Sequence, residues 1–195
     1  IAGEFLPAVF HIAARTLATH ALSIFGDHSD VMSMRSAGWA ILFGGSVQEA
    51  QDMSLISQAC TFRSRIPFIN AFDGFRTSHE VTKIDSIDDE VLQKMIPQNE
   101  VLAFKSRSMN PDNPVIKGTA QNPDVFFQAR EASNVYYANV PKIVKDEMVK
   151  FAELTGRKYD LFDYHGAPDA KKILILMGSG QGAVHETIEY MLGKG

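Results

Sequence analysis

The stretch from Trp39 to Gly74, WAILFGGSVQEAQDMSLISQACTFRSRIPFINAFDG, decides the fold of this chain. Trp39 to Phe43 is a short apolar run of the length expected for a buried strand, and Gly44-Gly45 closes it. Ser46 stands three residues before Glu49, the spacing at which a hydroxyl and a carboxylate can satisfy the free amides of a helix start. Behind that cap, Val47, Ala50, Met53, Leu55, Ile56 and Ala59 recur at helical spacing, so the spacing predicts an amphipathic helix. Ile66-Pro67-Phe68-Ile69 then predicts another strand, running into Asp73-Gly74. Strand, helix, strand at this spacing is a parallel βαβ unit, which requires cover on both sheet faces.

Outward from that unit, Val9 to Ala14, entered through Pro7, predicts a short buried strand that ends at Arg15. Thr16 to Leu22 reads as helix or turn, and Gly26 to Asp30 as a loop whose Ser29 or Asp30 caps a helix running through Val31 to Arg35. Ser86 with Asp89 predicts the cap of a second amphipathic helix carrying Val91, Leu92 and Met95. Asn110 to Pro114 and Gly118 to Asp124 are rich in turn formers and read as a long ordered excursion. Val140 to Leu154 predicts a helix stopped by Gly156. Leu161 to Asp169 has a linker's composition, and Lys172 to Gly180 opens a new strand and glycine turn, so a domain boundary is placed near Tyr159. Both ends look cut, since a lone strand and helix cannot bury their own faces.

The 195 residues carry a net charge of −4, with 45% hydrophobic and 22% charged residues, ordinary values for a globular chain. A nucleic-acid groove would need a basic surface, which this balance does not recommend. The apolar runs are too short for the roughly 20 residues of a membrane span. Cys60, the one cysteine, excludes an internal disulfide and any iron–sulfur cluster held wholly by this chain.

Arg15 at a strand end is suited to gripping a carboxylate, because a guanidinium presents a planar fork of donors; a structural ion pair is the competing reading. Asp27-His28 and the run Arg76-Thr77-Ser78-His79-Glu80 offer acid, base or phosphate contacts, while Ser78 also reads as a helix cap with Glu80 in the first turn. The six histidines lack the paired spacing that presents metal ligands on one face. No Gly-x-Ser-x-Gly nucleophile elbow occurs. Gly178 to Ala183 satisfies Gly-x-Gly-x-x-Ala after an apolar run and before a helix, a weak dinucleotide signal, because the acidic residue expected roughly 20 positions on falls past the last residue.

Several long words resemble one family: Ala13 to Arg15, HALSIFGDHSDV (His20 to Val31), SVQEAQD (Ser46 to Asp52), FDGFRTSHEV (Phe72 to Val81), GTAQNPDVFFQAREA (Gly118 to Ala132), ELTGR (Glu153 to Arg157) and FDYHGAPDA (Phe162 to Ala170). They resemble an internal piece of the pyruvate:ferredoxin (flavodoxin) oxidoreductases. The resemblance implies an α/β fold with a parallel sheet and helices on both faces. Residues 1–158 would be the latter part of a thiamine-diphosphate pyrimidine-binding domain, and 159–195 a linker with the first strand and helix of a transketolase C-terminal-like domain. It implies an enzyme that oxidatively decarboxylates pyruvate with coenzyme A and passes electrons to ferredoxin or flavodoxin. Thiamine diphosphate, Mg²⁺ and three 4Fe-4S clusters would belong to the complete homodimeric enzyme, with none held by this piece alone.

By the same resemblance Arg15 binds the pyruvate carboxylate and Ile24 lines the substrate pocket, or else packs in the core. Asp27, His28, Arg76, Thr77 and His79 are expected beside the site or fixing its loops. The glycine turn at 178–183 becomes part of the second fold, without a dinucleotide. Trp39, where the family usually has Phe, and Asn70-Ala71, in place of a bulkier pair, are departures that leave electron acceptor and close substrate preference open. The alternatives are a sibling 2-oxoacid oxidoreductase and a non-catalytic assembly module. Cytoplasm is the expected compartment, or a hydrogenosome or mitochondrion-like organelle in an anaerobic eukaryote.

Overall fold

The computed structural model describes residues 1–115 and 119–194. Gly118, where the excursion was expected to resume, and Gly195 at the chain's end lie outside the described residues.

Three parallel strands form the sheet: β1 (Val9–Ala14), β2 (Ala40–Gly44) and β3 (Phe68–Asp73), in the order β1-β3-β2. The expected βαβ unit is present: β2 leads through α2 (Val47–Ser64) into β3, its neighbour. Ser46 caps α2 by accepting the Glu49 N–H at 3.2 Å, and the Glu49 carboxylate accepts the Gly45 N–H at 2.8 Å. The carboxylate thus reaches one residue further back than a regular capping box.

β3 begins two residues later than expected and runs on to Asp73. Ile66 is already engaged outside the ladder, its N–H donating to Ser64 Oγ at 3.1 Å and its carbonyl accepting from Thr61 Oγ1 at 2.7 Å. Pro67 has no N–H to offer. Phe68 is therefore the first residue free to pair, and its N–H donates to the Ala8 carbonyl at 2.8 Å.

Alternation along β3 sorts the core into two layers. Phe68 faces the layer of α2 and α6 (Asn134–Thr155), where Met53, Ile56, Cys60, Val144, Met148 and Phe151 are buried. Ile69 and Ala71 face the other side with Ala14, Val31 and Trp39, covered by α1 (Ser29–Ser33) and the 3-10 turn Met34–Ala37. Helices therefore lie on both faces, heavily on one and thinly on the other.

The remaining helices are α3 (Asp89–Met95), α4 (Gln98–Ser106), α5 (Pro123–Ala132) and α7 (Gly180–Leu192). Several local expectations are corrected. Asp88 sits at the N-cap of α3 in place of Ser86, and α1 starts after His28 with Asp27 as its acceptor. α6 begins six residues before Val140 and passes through Pro141, but ends at Gly156 as expected, with φ 78. Ile173 to Met177, expected as a strand, pairs with no strand among the described residues, and its residues are 39–79% exposed. A strand needs a ladder to satisfy its amides, and the three-stranded sheet does not extend to this run. No described helix is long and apolar enough to cross a membrane.

Candidate functional site

Open α/β sheets bind ligands in the crevice beyond the carboxyl ends of their strands. Here the ends of β1 and β3 lie side by side, since Ala14 is in register with Asp73. The Ala14 carbonyl accepts the Gly74 N–H at 3.0 Å and the Asp27 N–H at 3.4 Å, which draws the loops after both strands onto one atom. Arg15 follows at that junction, half-buried. Its N–H donates to Asp30 Oδ2 at 3.0 Å, its backbone bridges antiparallel to Gly26, and its side-chain Nε donates to the Ile24 carbonyl at 3.0 Å.

Among the described residues no carboxylate lies within 4.0 Å of the Arg15 guanidinium, and its two terminal nitrogens have no acceptor. The ion pair that competed for this residue in the sequence is not formed among the described residues. Ile24 joins the site through its carbonyl, while the residue is 50% exposed, so the reading of Ile24 as core is corrected. Leu17, Leu22 and Phe25 on the same loop are exposed, and the Phe25 ring meets Phe75 edge-on at 5.0 Å. Phe75 in turn contacts His79 at 5.6 Å and takes a left-handed φ of 65, uncommon for a non-glycine residue. A cation bordered by an apolar rim is suited to a small organic acid.

The other expected neighbours take separate roles. Asp27 accepts from the N–H and Oγ of Ser29 at 2.7 and 2.5 Å, and these bonds hold its carboxyl below the usual range. Thr77 is buried, and its hydroxyl has no partner among the described residues. Arg76 is exposed on the same turn. Ser78 caps no helix: its Oγ accepts the Phe75 N–H at 2.9 Å and contacts His79 Nδ1 at 2.8 Å, closing a turn that leads into an irregular segment.

His28 points to a group that sequence reading left out. Its Nε2 donates to Asp73 Oδ1 at 2.8 Å, while Asp73 Oδ2 accepts the Ser179 N–H and Oγ at 2.7 and 2.6 Å. Burial pushes the Asp73 carboxyl up, but the bonds from Ser179 and His28 outweigh it, and the net shift is down. Gln181 Nε2 donates to the Glu49 carboxylate at 3.0 and 3.2 Å. The glycine turn 178–181 thus lies against the carboxyl ends of β2 and β3. This overturns the dinucleotide reading on physical grounds, since a carboxylate already occupies the front of the turn and like charge would repel a pyrophosphate there. The signal available in the sequence was Asp73 ending an apolar strand, but its partner lies 106 residues away.

Among the described residues no group of three or more His, Cys, Asp or Glu is placed to hold a metal ion. A carboxylate does fit, at the open fork of Arg15.

Residues 1–149 match the family model described as pyruvate flavodoxin/ferredoxin oxidoreductase, thiamine diphosphate-binding. The chain is 57% identical over 195 residues to a pyruvate-flavodoxin oxidoreductase of Trichormus variabilis, covering all of this chain and 16% of that protein. It is 53% identical over 195 residues to a pyruvate:ferredoxin oxidoreductase of Moorella thermoacetica, covering all of this chain and 17% of that protein. A Cryptosporidium parvum protein named pyruvate dehydrogenase [NADP(+)] is 49% identical over 194 residues, of which this chain spans 10%. The chain therefore spans about one sixth of the length of the first two of these relatives.

Proposed function

The chain belongs to the thiamine diphosphate-binding family of pyruvate flavodoxin/ferredoxin oxidoreductases, and from that premise we propose that it supplies the carboxylate grip for pyruvate in such an enzyme. The complete enzyme would convert pyruvate and coenzyme A to acetyl-CoA and CO₂, releasing two electrons to ferredoxin or flavodoxin. Thiamine diphosphate, when bound, supplies the electron sink for decarboxylation. The residues of this chain have a different task, which is orientation. A planar fork on the acid's two oxygens fixes the carbon–carboxylate bond relative to the reacting centre, and orientation of this kind removes a large entropic part of a barrier.

The observation that carries the reading is Arg15: anchored by its own N–H and by Nε, at the carboxyl edge of the sheet, with its two terminal nitrogens unpartnered among the described residues. Ile24, joined to it through the carbonyl, would form an apolar wall for the acid's methyl end. Residues 1–158 form the pyrimidine-domain part and 159–195 the linker and opening of a second, transketolase C-terminal-like domain, whose further strands would give Ile173 to Met177 its ladder. Mg²⁺, the three 4Fe-4S clusters and coenzyme A belong with the rest of a cytoplasmic homodimer, or one housed in a mitochondrion-like organelle.

Arg15→Ala in the complete enzyme tests this. Removing a hydrogen-bonded charge partner costs about 3 kcal/mol, roughly two orders of magnitude in kcat/KM, with a sharp rise in pyruvate KM. Preference for a longer 2-oxoacid in the wild type would point to the sibling reading. Unchanged pyruvate kinetics in the variant would leave only the assembly role and refute the proposal.

A further inference from the structure

Asp73-Gly74 reads in sequence as turn chemistry, but Gly74 is not among the glycines held at positive φ. Its backbone does not require glycine; the space above it does. A Cβ placed on Gly74 would lie 2.6 Å from Arg15 Cγ, 2.9 Å from Arg15 Nε and 2.7 Å from the Ala14 carbonyl oxygen, all closer than real carbon contacts. The Arg15 stem therefore lies directly across the bare α-carbon of Gly74. From that seat, Nε donates to the Ile24 carbonyl at 3.0 Å.

We propose that Gly74 is a positioning residue for Arg15, letting the side chain lie low enough for Nε to be held by the Ile24 carbonyl, so that a substrate carboxylate is taken end-on by the two terminal nitrogens. The stereochemistry follows from the guanidinium itself. A carboxylate can pair with an arginine through Nε and one terminal nitrogen, or through both terminal nitrogens. With Nε already donating to a backbone carbonyl, the first edge is closed. A methyl group at position 74 lifts the stem, breaks the bond to Ile24 and opens the wrong edge, and a displacement of about 1 Å in a positioning group is enough for a large loss of rate. This inference rests on Arg15 being the carboxylate ligand.

The test is a double-mutant cycle in the complete enzyme with Gly74→Ala, Arg15→Ala and the pair. Gly74→Ala is expected to raise pyruvate KM roughly 10-fold or more while leaving the KM for coenzyme A unchanged. In the Arg15→Ala background the same change is expected to add distinctly less, because the Arg15 stem is gone and only the contact with the Ala14 carbonyl oxygen remains. Equal losses in both backgrounds, or a wild-type pyruvate KM in Gly74→Ala, would overturn the role of Gly74. Arg15→Ala alone judges the carboxylate reading, so the two failures are distinct. Should Gly74→Ala not yield folded enzyme, recovery of folding in the double variant supports the steric seat, and failure of both alike contradicts it.

Discussion

Replacing Asp52 with alanine is expected to destabilise the chain more than any surface change. Asp52 is fully buried on α2. Its carboxylate accepts from Arg157 Nε and Nη2 at 2.6 and 2.9 Å, from the Tyr159 hydroxyl at 2.7 Å and from Gln48 Nε2 at 3.1 Å. The bond to Asp52 holds the Arg157 guanidinium above its ordinary range, and burial, reinforced by the bond to Asp52, pushes the Tyr159 phenol up. Losing one member of a buried charge pair costs about 3–5 kcal/mol. The lower end applies here, because the Arg157 side chain keeps 22% of its exposure and water can take over part of its hydration. With a urea slope of roughly 2 kcal/mol per molar, a loss of about 3 kcal/mol moves the midpoint down by about 1.5 M. Equilibrium urea unfolding followed by circular dichroism measures it directly. A shift corresponding to less than about 0.5 kcal/mol, the size of an ordinary surface change, would refute the view that this carboxylate fastens the segment after α6 onto α2.

The Asp73 carboxyl, lowered in the folded chain, contributes stability that is present above its unfolded value of about 3.9 and is lost as pH falls through the lower folded value. Asp73→Asn should flatten that part of the acid limb in urea midpoints measured from pH 6 to pH 2.5, and an unchanged acid limb would contradict the tie to Ser179 and His28. The 195-residue chain alone is expected to show no thiamine diphosphate binding by calorimetry in the presence of Mg²⁺. Tight binding would show that the diphosphate site is complete within it.

The parts of the fold legible in the sequence are those fixed by neighbours along the chain. Ser46 and Glu49 announce α2 because cap and acceptor are three residues apart, and Gly156 announces the end of α6 because a left-handed cap favours glycine. The start of α6 was hidden because Pro141 looks like a helix opening. In the folded chain the turns before it are held by distant partners: Tyr136 stacks on Phe5 at 4.6 Å, and the Tyr137 hydroxyl donates to the Gly38 carbonyl at 3.1 Å. Ser78 failed as a cap because its hydroxyl closes a turn onto the Phe75 N–H, and Ser86 because α3 starts later, after Asp88.

The site divides in the same way. The place of Arg15 at a strand end was legible in the sequence. The residue's lack of an ion pair among the described residues, its bond to the Ile24 carbonyl and its seat on Gly74 depend on two loops meeting, which no local pattern records. Asp52 with Arg157 and Asp73 with Ser179 are separated by 105 and 106 residues, and a single sequence offers no signal for such pairs.

The most direct test of the central claim is a crystal structure of the complete enzyme with pyruvate bound before turnover. Both carboxylate oxygens are expected within hydrogen-bonding distance of the two terminal nitrogens of Arg15, with Nε still on the Ile24 carbonyl. An Arg15 side chain turned away, with the acid held by another donor, would contradict the account.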